Sequence, residues 1–480
     1  MRRPTAWALV VAIVAGVLGC ASSGPPPGST VSGTWVDTGG DGTLERGRGE
    51  RLLDRTELAP RARAVRALAT FAQLTDARVV DAQSPARVPF LDRLGSPFQS
   101  TFRPQEVLTS RVLAEAVRSL NQIRLDAVVE TGDLVDNDQA NEYSEALGVL
   151  RGGVVRPDSG ARGYDGVQSA RSGDPLYYRP GVDAPRHPGL LEQAQRSFRS
   201  PGLRAPWFPV VGNHDVLVQG IVGPTARTQA IATGGSRVVR LAPGVALPSQ
   251  SQLSDAYVDR LLARGLPGPA VRTTPDRRRR ELSGTSGVRR LIEASGHGRL
   301  GDGLLDYSFD IGPSVRAIVL DASRRGYGST GIVRTGQADW LRAQLKAAGR
   351  RWVLVFTHQP LASCEGGERT LALLDHDPRV VAAIAGHTHR NSIVPRRSPA
   401  GGYWLVTTAS LIDYPQQARA FRVVKTAGGV GLETWMVDHG SGDGPARTSL
   451  ALSFLDWQGG RPAGFAGSPG DRNARLFLSR

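Results

Sequence analysis

Cysteine is scarce in this 480-residue chain and occurs only at positions 20 and 364. If Cys20 is modified, as the N-terminus indicates, no disulfide can form within the chain, and a chain of this length can build a core without one. The chain also has no internal repeat and no long heptad pattern. Aromatic residues make up 6% of the sequence, and no basic stretch is interleaved with them. We therefore expect no specific recognition of nucleic acid.

The N-terminus lacks an apolar run long enough for a comfortable membrane span. Two arginines precede the apolar run Ala6–Leu18, and small residues follow it before Cys20. This pattern predicts a signal peptide over residues 1–19. The residues Val17-Leu18-Gly19-Cys20 resemble a bacterial lipobox, in which the cysteine is acylated and becomes the mature N-terminus. We expect an exported lipoprotein on the outer face of the cell membrane, with residues 20–33 as a flexible tether; the alternative is an ordinary signal peptide and a secreted protein.

Basic residues are in excess, and the formal net charge is +15. Such a charge favours anionic surroundings such as phospholipid headgroups, wall polyanions or phosphorylated substrates. The densest basic run is Arg277–Arg280. We expect a solvated loop there, with contact to a polyanion as the alternative.

From Ala69 onward, short apolar strands alternate with amphipathic helices, for which Glu106–Ile123 and Gln139–Leu150 are examples. Strands then cluster toward the C-terminus. This order predicts layered α/β sheets. The expected organisation is a hairpin or linker at 34–68, a main domain at 69–440 with insertions at 151–204 and 216–300, and a C-terminal extension at 441–480.

Polar side chains follow five apolar strands, at the point where each strand ends. They are Asp76, Asp133 after Gly132, Asn213-His214-Asp215 after Gly212, His358, and His387-Thr388-His389 after Gly386. Open α/β sheets bring such loops together at the carboxyl edge, where ligands bind. Carboxylate, amide and imidazole groups together suit iron, manganese or zinc. Each glycine would let the backbone turn tightly beside the ligands.

In this order, the five motifs resemble those of the calcineurin-like metallophosphoesterase superfamily. The resemblance extends from Ala69 to Lys425. The sequence around the motifs is similar to that of an exported, mostly actinobacterial branch of the superfamily. It implies a layered α-β-β-α sandwich, with two mixed sheets flanked by helices. It also implies a hydrolase that uses one or two divalent or trivalent ions (Mn, Fe or Zn) to cleave a phosphomonoester or phosphodiester.

The family's residue roles transfer position by position. The resemblance implies that Asp76 and His389 hold a first metal, that Asp133 bridges both metals, and that Asn213, His358 and His387 hold the second. In this scheme a metal-activated hydroxide attacks phosphorus.

The neighbouring residues of the Gly-Asn-His-Asp motif have different implied roles. His214 would lie beside the phosphate and protonate the leaving oxygen. Asp215 would orient His214 or its loop without touching metal.

Arg78 departs from the family pattern, because it stands where a histidine ligand of the first metal is expected. Arginine stays protonated and offers no lone pair, so it cannot ligate a metal. Asp136 could replace the missing ligand, and Asp81 is a weaker substitute. Alternatively, the first metal is weakened or absent and Arg78 contacts the phosphate instead.

Two further interpretations of Arg78 remain open. In one, Arg78 points away and water completes the metal sphere. In the other, the site is a catalytically weak or inactive lipoprotein that binds phosphate-rich polyanions at the cell surface. We expect an active enzyme, because the other ligand positions are intact.

Overall fold

The computed structural model describes residues 24–94, 101–246, 249, 257, 268–440, 444–458 and 465–480. The expected signal peptide and Cys20 lie outside these residues, and both stay predictions. Within the described part of the chain, no helix is long and apolar enough to cross a membrane.

Short strands dominate the chain. In chain order they are β1 (Thr34–Val36), β2 (Glu45–Gly47), β3 (Leu53–Arg55), β4 (Ala64–Leu74), β5 (Ala127–Glu130), β6 (Gly153–Val155), β7 (Phe198–Ser200), β8 (Trp207–Pro209), β9 (Ser236–Val238), β10 (Ala270–Arg272), β11 (Tyr307–Ile311), β12 (Val315–Val319), β13 (Trp352–Phe356), β14 (Val380–Ala385), β15 (Ser392–Arg396), β16 (Tyr403–Thr407), β17 (Gln417–Thr426), β18 (Gly429–Asp438) and β19 (Ala474–Ser479). The helices are α1 (Thr109–Leu120), α2 (Ala140–Arg151), α3 (Leu190–Gln195), α4 (Ala226–Thr233), α5 (Ser286–Ser295), α6 (Thr335–Ala347), α7 (Gly367–Asp375) and α8 (Gly444–Gln458).

Two large mixed sheets form the centre of the molecule. The seven-stranded sheet has the order β3-β19-β18-β17-β4-β5-β8, and the six-stranded sheet has the order β11-β12-β13-β14-β16-β15. Within them β4, β5 and β8 run parallel, as do β12, β13, β14 and β16. Helices cover the outer faces, so the predicted class of two mixed sheets flanked by helices is confirmed.

The core joins the two sheets through aromatic and aliphatic side chains. Phe71 on β4 stacks on Phe421 of β17, with ring centroids 4.8 Å apart. Its edge meets Phe356 of β13 in the other sheet, at 5.8 Å. All three rings are fully buried. This packing holds the ends of β4 and β13 together, which brings the loops that follow them into one place.

Both predicted helices are observed with small boundary changes. The one expected over Glu106–Ile123 begins with a 3₁₀ turn, Glu106–Leu108, and continues as α1. The one expected over Gln139–Leu150 is α2. Such shifts at helix ends are ordinary, because terminal turns lack a full set of backbone hydrogen bonds.

The ends of the main domain differ from the predicted boundaries. Ser29 and Thr30 are fully buried, and the Thr30 amide donates to the Met436 carbonyl at 2.9 Å. The predicted tether over residues 20–33 is therefore wrong at its C-terminal end, where the chain is packed on β18. At the other end, β19 of the predicted C-terminal extension lies between β18 and β3, so this strand is part of the large sheet of the main domain.

The basic run at Arg277–Arg280 is not a purely solvated loop, and that expectation is wrong for Arg279. Its side chain is fully buried, and its Nε lies 3.1 Å from Asp81 Oδ2. Asp81 also accepts hydrogen bonds from Ser159 and Asn141. Its carboxylate is thus occupied by structural partners.

Candidate metal centre

Three predicted ligands converge at the carboxyl ends of parallel strands. One ligand atom each from Asp133, His358 and His387 lies within 4.8 Å of the others. Asp133 Oδ2 is 3.2 Å from His358 Nε2, which is 3.3 Å from His387 Nδ1. These residues follow β5, β13 and β14, so two sheets contribute to one cluster. A carboxylate with two imidazoles is a donor set that fits iron, manganese or zinc.

His358 and His387 each turn one ring nitrogen toward the cluster. His358 Nδ1 lies 2.8 Å from the Thr131 carbonyl, so that nitrogen donates and Nε2 is the one that faces Asp133 and His387. Burial would lower the pKa of His358, but Asp133 and Asp76 outweigh it and raise the pKa to about 9, so a metal that binds Nε2 would displace its proton. Burial, assisted by the neighbouring His358, lowers the pKa of His387 to about 3. His387 is therefore neutral near pH 7, the form that binds metal.

A second acid–imidazole pair lies beside the first group. Asp76 Oδ1 is 3.1 Å from His389 Nε2, and neither atom has a hydrogen-bond partner in the described structure. The other Asp76 oxygen accepts from Thr75 Oγ1 and from the His387 amide. Burial would raise the pKa of Asp76, but His389 and His358 outweigh it and lower the pKa to about 2. Two buried, unpartnered ligand atoms that face each other fit a bound cation.

Sequence analysis did not identify the residues that hold His389. Its Nδ1 lies 2.5 Å from Asp413 Oδ2. Arg103 in turn binds both oxygens of Asp413, through Nε at 2.5 Å and Nη2 at 2.9 Å. Asp413 lies in the segment ASLIDYPQQAR, whose acidic residue was the only local signal for this contact.

Asn213 and His214 follow β8, and His214 contacts Asp133 of the cluster. Asn213 Oδ1 accepts from Gln359 Nε2 at 3.3 Å. The His214 amide donates to Asp133 Oδ1 at 2.8 Å. The imidazole Nδ1 is 2.9 Å from the Asp136 carbonyl, and Nε2 is 4.0 Å from Asp133 Oδ2. Nε2 is thus the nitrogen that faces the candidate metal ligands.

Asp215 contacts backbone rather than ligand atoms. Its carboxylate accepts from the amides of Asp133 and Gly212 at 2.8 Å, from Leu134 at 2.9 Å and from Val135 at 3.3 Å. These bonds join the loop after β5 to the loop after β8. Asp215 therefore positions the backbone that carries Asp133.

Arg78 points into the site, so the interpretation in which it points away is wrong. The side chain is buried, and its Nη2 is 3.4 Å from Asp133 Oδ2. Its Nη1 is 3.9 Å from Asp136 Oδ1, and neither Nε nor Nη1 has a hydrogen-bond partner among the described residues. A buried guanidinium with unused donors is placed to receive an oxyanion.

Asp136 lies among basic side chains. Its carboxylate is 3.3 Å from His214 Nδ1, 3.7 Å from Arg87 Nε and 3.9 Å from Arg78 Nη1. Glu106 binds the other side of Arg87 at 2.7 Å. Asp136 is thus a counter-ion in this structure, and its role as a substitute ligand stays a prediction.

The glycines beside the ligands are required by close packing, as expected. A Cβ at Gly386 would lie 2.0 Å from Thr75 Oγ1, and one at Gly212 would lie 2.2 Å from Asp133 Oδ1. Gly132 has a φ of +91°, and a Cβ there would lie 2.6 Å from the Gly212 amide. Side chains at these positions would push the loops apart.

Backbone strain is concentrated at the site. Non-glycine residues with positive φ include Asp76 (51°), Arg78 (43°), Asp133 (55°), His387 (68°) and His389 (55°). Such conformations cost roughly 1–3 kcal/mol each and persist where the surrounding structure imposes them. Buried hydrogen bonds such as those of Asp215 supply that constraint here.

Comparison with known proteins gives partial and distant likenesses. No family model matches the chain. Over 94 residues, 18% of this chain, it is 31% identical to the glycerophosphodiester phosphodiesterase GpdQ of Enterobacter lignolyticus. The chain spans about a third, 34%, of that relative's length.

Among solved structures, a dimetal phosphatase from Danio rerio has a TM-score of 0.42 at 16% identity, over 78% of this chain and 98% of the other. A purple acid phosphatase from yellow lupin seeds has a TM-score of 0.33 at 12% identity, over 76% of this chain and 51% of the other. PhoD has a TM-score of 0.32 at 12% identity, over 86% of this chain and 81% of the other.

Proposed function

We propose that the protein is a metal-dependent phosphoesterase that hydrolyses a phosphomonoester or phosphodiester. The observation that carries this proposal is the cluster of Asp133, His358 and His387, whose ligand atoms lie within 4.8 Å of one another. The unpartnered pair Asp76 and His389 adds a second set of ligand atoms. A bound divalent ion in such a site lowers the pKa of water and neutralises charge on phosphoryl oxygens.

His214 is the proposed general acid. Its Nδ1 is held by the Asp136 carbonyl at 2.9 Å, which fixes the ring and leaves Nε2 facing Asp133. In the imidazolium form, Nε2–H can donate its proton to the leaving oxygen of the ester. Asp136 Oδ1 lies 3.3 Å from the same ring nitrogen, Nδ1.

Arg78 is the proposed phosphate contact. The guanidinium is buried, and two of its nitrogens have no hydrogen-bond partner in the described chain. Its positive charge beside Asp133 can stabilise phosphoryl oxygens without any reorganisation during the reaction. Substitution of the missing ligand by Asp136 remains the competing proposal.

The test is turnover of p-nitrophenyl phosphate and bis-p-nitrophenyl phosphate with Mn, Fe, Zn or no added metal. We expect His358→Ala to lose bound metal and activity together. His214→Ala should lose activity while it keeps its metal, because His214 is not among the proposed ligands. The exposed His376, whose Nδ1 lies 2.8 Å from the Ala372 carbonyl, gives the control His376→Ala.

The outcomes separate the two functional classes. Activity that survives a chelator, or that is unchanged in His214→Ala, would overturn the mechanism. Metal content near zero with retained phosphate binding would favour a binding lipoprotein that does not catalyse hydrolysis.

For localisation, we propose export and lipid anchoring through Cys20. Cys20→Ser should release the protein from the membrane fraction, whereas Cys364→Ser should leave it there. An unchanged distribution of Cys20→Ser would contradict the anchor.

A further inference from the structure

A cavity of about 830 Å³ lies between the two insertions. One wall comes from residues 161–192 and the other from the hairpin of β9 and β10 and its flanks. Its basic lining residues are Arg162, Arg171, His187, Arg237, Arg240 and Arg272. Three carboxylates, Asp165, Asp174 and Glu192, face five arginines, so positive charge is in excess. We call this space the insertion cavity.

Arg237 is the buried basic group of the insertion cavity. Arg237 is 6% exposed, and its Nη2 donates to the backbone carbonyl of Asp165. Its Nε and Nη1 have no hydrogen-bond partner in the described part of the chain. Asp165 is the nearby carboxylate that offsets part of its charge, and a bound anion could accept from the two unused donors.

Further buried polar atoms of the cavity lining have no hydrogen-bond partner among the described residues: Asp165 Oδ1, Gln168 Oε1 and His187 Nε2. The two oxygens can only accept, so His187 Nε2 is the one of these three that could donate to an anion. Burial lowers the pKa of His187 below its usual value. Its neutral ring can therefore offer one hydrogen bond to a ligand without adding charge.

The remaining arginines lie at the exposed rim. Within the described ranges, Arg162, Arg171, Arg240 and Arg272 form no ion pair with a carboxylate, and all four are exposed. Guanidinium groups bind phosphate through parallel, charge-assisted hydrogen bonds. The volume falls in the usual range for small-ligand sites, roughly 300–1,000 Å³.

We propose that the insertion cavity binds a phosphate-bearing anion, with Arg237 buried beneath it and Arg240 and Arg272 at its rim. This goes beyond the proposed hydrolysis, because binding here requires neither metal nor turnover. One short segment links the lining of the cavity to a residue that holds a candidate metal ligand. Gln168, which lines the cavity, donates to the Pro104 carbonyl at 2.8 Å, and the adjacent Arg103 holds Asp413.

The test is calorimetric titration of the full-length, metal-loaded protein with orthophosphate and with linear tripolyphosphate. The variant Arg240→Gln/Arg272→Gln removes two exposed rim charges, and it should leave the fold intact. The matched control Arg299→Gln/Arg350→Gln removes the same charge from exposed positions outside the cavity. His358→Ala separates this binding from phosphate bound at the candidate metal centre.

We expect two binding events in the wild type. The rim variant should weaken one of them about tenfold or more, since each lost hydrogen bond to a charged group is worth roughly 1.5–3 kcal/mol. His358→Ala should weaken only the other, and the control should change neither. With p-nitrophenyl phosphate, kcat of the rim variant should stay unchanged.

The source of the phosphate is decided by the two probes. If orthophosphate binds as tightly as tripolyphosphate, the ligand is a free phosphate; if tripolyphosphate binds much more tightly and loses that affinity only in the rim variant, the ligand is a chain of linked phosphates. Two results would contradict phosphate binding in the insertion cavity: equal losses of affinity in the rim variant and the control, or a single binding event that His358→Ala abolishes. Neither result would contradict the proposed hydrolysis.

Discussion

His389 Nδ1 lies 2.5 Å from Asp413 Oδ2, and this contact fixes which nitrogen of the imidazole faces Asp76. Because Nδ1 carries the proton that Asp413 accepts, Nε2 keeps its lone pair on the side of the candidate metal centre. Arg103 holds Asp413 from behind through two hydrogen bonds. Asp413 thus resembles the orienting carboxylate that metal-binding histidines commonly have on their second ring nitrogen.

Asp413→Asn is expected to reduce metal affinity and kcat together, by about 10- to 100-fold, the usual range for a partner of a metal ligand. The amide can no longer attract the Nδ1 proton strongly, so His389 loses its fixed orientation. Metal content and turnover of p-nitrophenyl phosphate are measured on the same folded sample.

The matched control for that change is Asp438→Asn, which also weakens a buried carboxylate paired with an arginine, Arg46, and whose side-chain partners among the described residues include none of the proposed metal ligands. It should keep the full metal content. An Asp413→Asn protein with unchanged metal affinity would contradict the positioning role.

Arg78→His is expected to raise the number of bound metal ions per chain. The substitution removes a cation 3.4 Å from Asp133 Oδ2 and adds a neutral nitrogen ligand. Arg78→Gln removes the charge without adding the ligand, so it separates the two effects. Stoichiometry is measured by elemental analysis; a wild type that already binds two ions would mean that the first site is filled, with Asp136 as the candidate substitute.

Gly386→Ala is expected to destabilise the protein and to reduce activity. The new Cβ would lie 2.0 Å from Thr75 Oγ1 and 2.7 Å from Asp76 Oδ2, and forcing atoms into packed space typically costs about 1–3 kcal/mol. The control is Gly336→Ala in α6, where nothing lies within 4 Å of the added carbon. That change should raise or preserve the melting temperature. Equal melting temperatures for the two variants would contradict the packing argument.

Glu281 is expected to make stability depend on pH. Burial raises its pKa from 4.5 to about 7, against the opposing hydrogen bond from Thr228. Between these values the folded state binds the proton more tightly than the unfolded state. The stabilising contribution is therefore complete below about pH 4.5 and is lost as pH rises through about 7.

Glu281→Gln removes the buried charge while it keeps an oxygen for Thr228. The variant should be more stable than the wild type at pH 8, by up to about 3 kcal/mol, and similar at pH 4.5. Chemical unfolding at both pH values measures this, with the exposed Glu293→Gln as the control. A constant difference between the two pH values would rule out titration of Glu281 as the cause.

The ends of the strands could be predicted from local sequence. An apolar run that stops at a polar residue is a short-range signal, and it placed Asp133, His358 and His387 at the carboxyl ends of strands, where the structure brings them together. The glycines were also predictable, because their requirement follows from the crowding of adjacent loops. The layered α/β class followed from the order of strands and helices, whereas the sandwich of two mixed sheets and the ligand roles were implied by the family resemblance.

The sequence alone determined which residue types stand at the ends of the strands, since each strand and its following turn depend on neighbours in the chain. Only the tertiary structure decided how charges are paired. Arg103 and Asp413 are 310 residues apart, and Arg279 and Asp81 are 198 apart. Buried charges must be neutralised by whatever partner the fold brings near, and no local pattern records that choice. For the same reason, the direction of Arg78 toward Asp133 became visible only once both loops were in place.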